Sequence, residues 1–299
     1  MRTTKRFTPT VLARFAREGR GTGIYEDYIP WHRVSRGDPA SSGRSHLVQW
    51  RQRFRELLSD GELFEQLFAL MVPDLDDCTE QFPLTLDQSR HPLTEYGDFL
   101  DNAYYPGTLE LATQLGIKHP KTRGKGDTAD WIPTTDLLLV IKTPNRRRTA
   151  VAVAFKDRGL GALQSRSLEL LKLERAYWIC RNVPWLLITP EQYDRRVALT
   201  LSRSEPWAID MEITGELLDL AVRTAIELAG YSLTSVIDHL TNLLGEKELA
   251  QRALWQAIWC GRLPIDLRRG WRPHEPLKFI SLMEFQGLNP IISRRSAWI

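Results

Sequence analysis

Three places in this 299-residue chain carry residues whose types and spacing can do chemistry: Glu62, Asp136 and the run Ala154-Phe155-Lys156. An acid at the start of one apolar run, with a lysine two residues beyond a ligand position on the next, suits phosphodiester hydrolysis. That reaction needs a divalent cation to polarise the phosphate and to lower the pKa of the attacking water. Magnesium takes oxygen ligands from one or two carboxylates and keeps several waters. Residues 154 and 156 share a facing on a strand, so both can point at one ion. Lys156 is then placed to orient or activate the water, or to offset charge on the scissile phosphate. Phe155 points into the core and offers its backbone carbonyl. Ala154 breaks the pattern, because a methyl group stands where a carboxylate or amide is wanted.

The elements that must hold these groups can be read around them. Asp136 precedes the apolar run Leu137-Leu138-Leu139-Val140-Ile141, and a turn at Thr143-Pro144-Asn145 leads to Ala150-Val151-Ala152-Val153-Ala154-Phe155. An amphipathic helix is expected over 163–180 and a third strand at Trp185-Leu186-Leu187-Ile188. Acid, hairpin, lysine, helix and strand together give the layout of a metal-dependent nuclease core of the α/β class. Upstream, 57–71 reads as a helix. Ser59 is its N-cap, Glu62 completes a capping box, and Leu63, Leu67, Leu70 and Met71 form the buried stripe. Glu62 is therefore either a cap for its own helix or a metal ligand aimed at the sheet.

Around this core, 9–17 is expected to be a short helix ending at Gly19, Gly21 and Gly23. The turn Ser41-Ser42-Gly43-Arg44-Ser45-His46 is a surface loop or a phosphate-holding one. Glu80-Gln81-Phe82-Pro83-Leu84 is a short strand, and 85–115 an insertion of loops and a short helix. A basic loop, 116–126, precedes the hairpin and is either a solvated turn or a DNA contact beside it. From Gly215 three helices are expected, 215–229, 233–244 and 246–260, each followed by a glycine. Two short strands, 263–267 and 277–282, then flank a basic tip with Arg268 and Arg269. Three helices and a basic hairpin outline a winged helix, which docks on DNA or on protein. The expected division is a catalytic domain over 1–194 and a helical domain over 195–299.

The net charge of +3 is uneven: residues 1–56 hold twelve Lys/Arg against five Asp/Glu, or +7, which leaves the rest near −4. Such an arm is either a polyanion-binding segment or a solvated tail. Arg20, Arg44, His46, Lys118, His119, Arg123, Arg268 and Arg269 are the candidate DNA contacts. Cys78, Cys180 and Cys260 are few, scattered and without zinc spacing, which suits a reducing compartment. No apolar stretch spans a bilayer and the basic N-terminus lacks a signal-peptide core, so the expected location is cytoplasmic.

Several stretches together resemble the TnsA family, the endonuclease subunits of heteromeric Tn-seven-like cut-and-paste transposases. They are Glu18-Gly19-Arg20-Gly21, Asp27-Tyr28-Ile29-Pro30-Trp31, Ser41 to His46, Leu57 to Leu63, Glu80 to Leu84, Gly116-Ile117-Lys118-His119-Pro120, Thr135-Asp136, Leu173-Glu174-Arg175-Ala176-Tyr177-Trp178 and Pro184-Trp185. The resemblance covers the first ~190 residues in the family's order. It implies a restriction-endonuclease-like (PD-(D/E)xK) domain followed by a helical, winged-helix-like one. It also implies a catalytic set that falls on Glu62, Asp136, Ala154 and Lys156, with Mg2+ as cofactor and Mn2+ as substitute. The implied activity is cleavage of the 5′ ends of a transposon, beside a TnsB-type transposase that works the 3′ ends and a TnsC-type ATP-dependent regulator. The 85–115 insertion departs from the shorter family pattern. Ala154 leaves two further readings open, an inactivating replacement or a non-catalytic scaffold of the complex. A stand-alone restriction or repair nuclease is the other alternative.

Overall fold

The computed structural model describes residues 6–38, 43–97, 99, 102–209 and 211–298. The first five residues of the basic arm and Ser41-Ser42 of the Gly43-Arg44 turn lie outside them. Helix α1 (Pro9–Arg17) starts where expected, with Pro9 in its first turn and Thr8 accepting from the Val11 amide. It buries Leu12 and Phe15 against Trp31. Strands β1 (His46–Trp50) and β2 (Arg53–Leu57) then form an antiparallel hairpin that pattern reading did not resolve. Leu57 ends that hairpin rather than opening the next helix. Helix α2 (Asp60–Leu70) begins only after Ser59, whose extended backbone (φ −155°, ψ 163°) and Oγ cap it.

Strand β3 (Leu75–Pro83) is longer than the predicted 80–84. The insertion holds a 3₁₀ turn, Pro92–Tyr96, and helix α3 (Thr108–Gln114), in line with its reading as loops and a short helix. The expected basic loop is a small hairpin instead, β4 (Lys121–Gly124) paired with β5 (Asp127–Asp130). The main sheet is completed by β6 (Thr134–Lys142), β7 (Arg148–Phe155) and, after helix α4 (Ser165–Ile179), strand β8 (Trp185–Ile188).

The sheet order is β3-β6-β7-β8, antiparallel except for the parallel β7–β8 pair. The return from β7 to a parallel β8 needs a crossover, and α4 supplies it. Alternation along β6 and β7 feeds two apolar layers. Leu137, Leu139, Val151, Val153 and Phe155 pack with Leu67 and Phe68 of α2; Leu138, Val140, Ala150, Ala152 and Ala154 pack with Leu171, Tyr177 and Trp178 of α4. Strands covered on both faces read as near-continuous apolar runs, which is why this hairpin was legible. The small side chains of β7 leave room for Trp178, which is fully buried and donates from Nε1 to Thr135 Oγ1 at 2.6 Å.

Helix α5 (Arg195–Ala208) leads out of the sheet, followed by α6 (Gly215–Glu227), α7 (Leu233–Leu244) and α8 (Lys247–Trp259). The last three match the expected helices, and Gly245 closes α7 at φ +79°, a left-handed conformation that costs glycine little. The two strands expected at 263–267 and 277–282 need correcting. They reduce to one bridge, Ile265 with Phe279, flanked by Asp266 N to Lys278 O at 2.8 Å and Ile280 N to Pro264 O at 3.2 Å. Pro264 has no amide to donate, Leu267–Arg269 turns as a 3₁₀ helix, and Ser281 with Glu284 forms a capping box that starts helix α9 (Leu282–Leu288).

One apolar cluster runs from Leu67 and Phe68 of α2 through Leu201 of α5 to Trp255 of α8 and Phe285 of α9. The chain's end returns to the sheet: Asn289 Nδ2 donates to Phe68 O at 2.8 Å, and Ala297 N to Leu187 O at 2.8 Å. That last contact covers an exposed edge of β8. Among the described residues no helix is long and apolar enough to cross a membrane.

Candidate active site

Asp136, Phe155 and Lys156 meet where β6 and β7 run side by side. Phe155 N donates to Asp136 Oδ2 at 2.7 Å, which fixes the carboxylate against the neighbouring strand. Lys156 follows β7 directly, and its own amide is held by Ile188 O at 3.0 Å. Its ammonium donates to Phe155 O at 2.7 Å and lies 3.7 Å from Asp136 Oδ2. Glu62 comes from the first turn of α2. Its Oε2 accepts from Leu58 N at 2.8 Å and Gln81 Nε2 at 3.0 Å, while its amide donates to Ser59 Oγ at 3.1 Å. The expected capping box is therefore only half formed: Ser59 Oγ takes the Glu62 amide, but the Glu62 carboxylate takes the Leu58 amide, one residue before the cap, and lines the same cleft as Asp136.

That cleft has a volume of about 810 Å³ and is lined by Glu62, Asp136, Lys156 and Phe155, with Arg44 and Arg195 adding positive charge. Gly61 belongs to its construction. A Cβ there would stand 1.9 Å from Phe155 Cε1, so only glycine lets α2 come this close to β7.

Carboxylates outnumber cations in this part of the molecule. Burial, with the charge of Asp136 added, pushes Glu62 up to about 7. Glu174 of α4 is also pushed up to about 7 by burial, although Lys156 opposes the shift; its Oε1 accepts from Thr135 Oγ1 at 2.9 Å and Trp185 Nε1 at 3.1 Å. Glu65, one helical turn beyond Glu62, is 1% exposed and raised well above the carboxylate range, chiefly by burial and then by Asp136. Burial alone draws Lys156 down, but Asp136, Glu174, Glu65 and Glu62 together hold it above its ordinary value. Sequence reading named neither Glu65 nor Glu174 as functional. Glu174 was within reach, since it sits inside the Leu173-Glu174-Arg175 stretch; Glu65 shows only as a charge on the buried side of an amphipathic helix.

Oxygen donors for a divalent cation are present as the Glu62 and Asp136 carboxylates and the Phe155 carbonyl. The Lys156 ammonium now lies against two of them, so this spot already attracts positive charge. Among the described residues no three His, Cys, Asp or Glu side chains form a ready cage. A magnesium ion that keeps several waters does not require one. Ala154 is fully buried within the apolar layer against α4 and contributes no ligating atom.

The candidate nucleic-acid contacts divide. Arg44, Lys118 and Arg123 are exposed. His46 is half-buried, with Nε2 2.6 Å from Asp60 Oδ1. Arg20 must be corrected: its guanidinium is buried, bonded to Asp38 at 2.6 Å and Glu18 at 2.7 Å and stacked 3.8 Å over Phe15, so it holds the α1 region together instead of meeting phosphate. His119 is also turned inward, with Nε2 3.1 Å from Thr108 Oγ1 and Nδ1 3.4 Å from Asp130. Arg268 pairs with Asp266 at 2.7 Å, and Arg269 with Glu275, so the basic tip has part of its charge neutralised from within.

No family model matches the chain. Over 218 residues it is 33% identical to the transposon Tn7 transposition protein TnsA of Escherichia coli, an alignment that takes in 71% of this chain and 68% of that protein. A likeness of that depth and extent, over a chain that places Glu62, Asp136 and Lys156 in one cleft, makes this protein a member of the TnsA family.

Proposed function

We propose that the protein is the metal-dependent endonuclease subunit of a heteromeric transposase, cutting the 5′ ends of its transposon. A TnsB-type transposase and a TnsC-type ATP-dependent regulator are its working partners. The observation that carries this reading is the meeting of Glu62, Asp136 and Lys156 in one cleft on two strands and a helix start. The residues around it fit a restriction-endonuclease-like catalytic domain over 1–194, and the helices beyond fit a winged-helix-like module over 195–299.

Glu62, Asp136 and the Phe155 carbonyl would hold a divalent cation, Mg2+ or Mn2+, which polarises the scissile phosphate and makes its water nucleophilic at neutral pH. The protein's own part is positioning and charge. Asp136 is locked by the Phe155 amide, so its free oxygen keeps one direction. Glu62 is locked by Leu58 and Gln81. Lys156, held above its ordinary pKa, stays an ammonium at every working pH. It therefore acts by stabilising negative charge on phosphate oxygens and by orienting water, not by removing a proton. Arg44 and Arg195 at the cleft wall would anchor flanking phosphates.

The test is reversal of the departure at position 154. Ala154→Gln, Ala154→Glu and Ala154→Asp are assayed for nicking at transposon ends with the TnsB-type partner and Mg2+ or Mn2+ present. At least one is expected to nick faster than the unsubstituted chain. If none does, and Asp136→Asn leaves any nicking unchanged, the ligand set is wrong. Should the unsubstituted chain and all three variants assemble on DNA without cutting, the scaffold reading replaces this one.

A further inference from the structure

Among the described residues, Gln81 is the one non-glycine residue inside a strand that takes a left-handed backbone, with φ +51°. That conformation is uncommon for a residue with a side chain and persists only where the surroundings hold it. It coincides with a change of facing in two strands at once. Cys78 of β3 packs in the layer against α2, whereas Phe82, four residues on, packs in the layer against α4. On a regular strand both would lie on one face. In β6, Leu137 packs with α2, yet Thr135 bonds to Glu174 and Trp178 of α4. The pairs Glu80–Leu137 and Phe82–Thr135 leave Gln81 opposite Asp136 at this turning point.

The Gln81 side chain, 3% exposed, uses both ends of its amide here. Its Nε2 donates to Glu62 Oε2 at 3.0 Å, and its Oε1 accepts from Thr134 Oγ1 at 3.3 Å, two residues before Asp136. One residue thus joins α2, β3 and the start of β6, the elements that carry Glu62 and Asp136 to the cleft. We infer that Gln81 is a positioning residue: by holding Glu62 from the strand paired with that of Asp136, it fixes the spacing of the two carboxylates for a divalent cation. The inference rests on the nuclease reading and deepens it. Gln81 stands behind Glu62 and is not part of the cleft lining, so it acts through that carboxylate and not as a ligand. A neutral amide suits the task. It donates to a carboxylate without adding a charge that would compete with the ion, and its oxygen takes the Thr134 hydroxyl at the same time. Without it, Glu62 Oε2 keeps only the Leu58 amide, and nothing ties its orientation to the sheet.

The experiment is Mn2+ titration of the full chain by calorimetry, with thermal unfolding of the ion-free protein alongside, so that no readout depends on cutting. Three proteins carry the argument: unsubstituted, Gln81→Leu and Gln81→Gly. Leucine keeps much of the bulk but offers Glu62 no donor. Glycine takes the left-handed backbone without strain, so it preserves the change of facing and removes only the side chain. Loss of a group that orients a metal ligand typically weakens affinity about 10–100-fold. Both variants are expected to bind Mn2+ at least tenfold more weakly than the parent, while ion-free Gln81→Gly still unfolds in one cooperative transition. A residue needed only for the course of β3 would be replaced by glycine without loss, so Mn2+ binding by Gln81→Gly within tenfold of the parent overturns the inference. Should Gln81→Leu fail to fold, the glycine variant decides alone. Glu62→Gln and Asp136→Asn are the controls. If they weaken Mn2+ binding and Gln81→Gly does not, only the role of Gln81 is wrong; if they too leave it intact, the nuclease site itself is misassigned.

Discussion

Replacing Glu62 with glutamine should make the ion-free protein more stable above neutral pH. Burial and Asp136 together lift Glu62 from 4.5 to about 7. For a group raised on folding, stability is fully present below the unfolded value, near 4.5, and is lost as pH climbs through about 7. A shift of roughly 2.5 units corresponds to about 3 kcal/mol at pH 8. Glutamine removes that burden but weakens the bonds from Leu58 N and Gln81 Nε2, at a cost of about 1 kcal/mol. The net expectation is a gain of about 2 kcal/mol at pH 8, vanishing or slightly reversed at pH 5. Urea denaturation of the parent and Glu62→Gln at both pH values, without divalent ions, reads this directly. A carboxylate that destabilises its own fold fits the proposed role of Glu62 as a cation ligand. If Glu62→Gln loses stability at pH 8 as much as at pH 5, Glu62 is mainly a helix cap and the electrostatic argument fails.

Other consequences follow from the same contacts. Gly61→Ala would drive a methyl group into the Phe155 ring, so it should cost about 1–3 kcal/mol in chemical denaturation and distort the cleft; an unchanged midpoint would show that the α2–β7 approach is looser than described. Arg20→Ala should lower stability by about 1.5–3 kcal/mol through lost charged hydrogen bonds to Asp38, which keeps Arg14 as its partner, whereas alanine at Arg44, Lys118 and Arg123 should leave melting unchanged and flatten the salt dependence of DNA binding. Asp266, drawn down to about 2 chiefly by Arg268, contributes stability above about pH 4 that is lost as pH falls toward 2; Asp266→Asn should abolish that part of the acid-unfolding profile, and an unaltered profile would show that the pair with Arg268 contributes nothing.

What the sequence made legible follows from where its signals are strong. The β6–β7 hairpin carries two apolar faces, so its runs stand out, and the glycines after α7 and α8 mark their ends. Glu62, Asp136 and Lys156 were found from type and spacing, and they do meet in one cleft. The β1–β2 hairpin was missed because its alternation is inverted, with Leu47 and Phe54 exposed and Arg55 and Glu56 buried, and β4–β5 because Lys121, Arg123 and Asp127 are exposed on it; neither turn has an Asn-Gly or Asp-Gly pair. The expected wing failed on a competing local signal, the capping box at Ser281 and Glu284, which turns an apolar run into a helix start. Arg20 was misread because charge was counted without its partners: Asp38 lies eighteen residues away and only the fold brings it back. Glu65 left no pattern to find, since a single acid on a helix looks alike whether it faces solvent or core.

The central claim is tested most directly by mapping cuts on end-labelled transposon DNA with the TnsB-type partner, comparing the parent and the most active position-154 variant, each with and without Asp136→Asn. The account predicts breaks at the 5′ ends that require Mg2+ or Mn2+, increase with a ligand at 154 and vanish when Asp136 is replaced. Breaks that persist with Asp136→Asn, or that appear without any divalent ion, would contradict it.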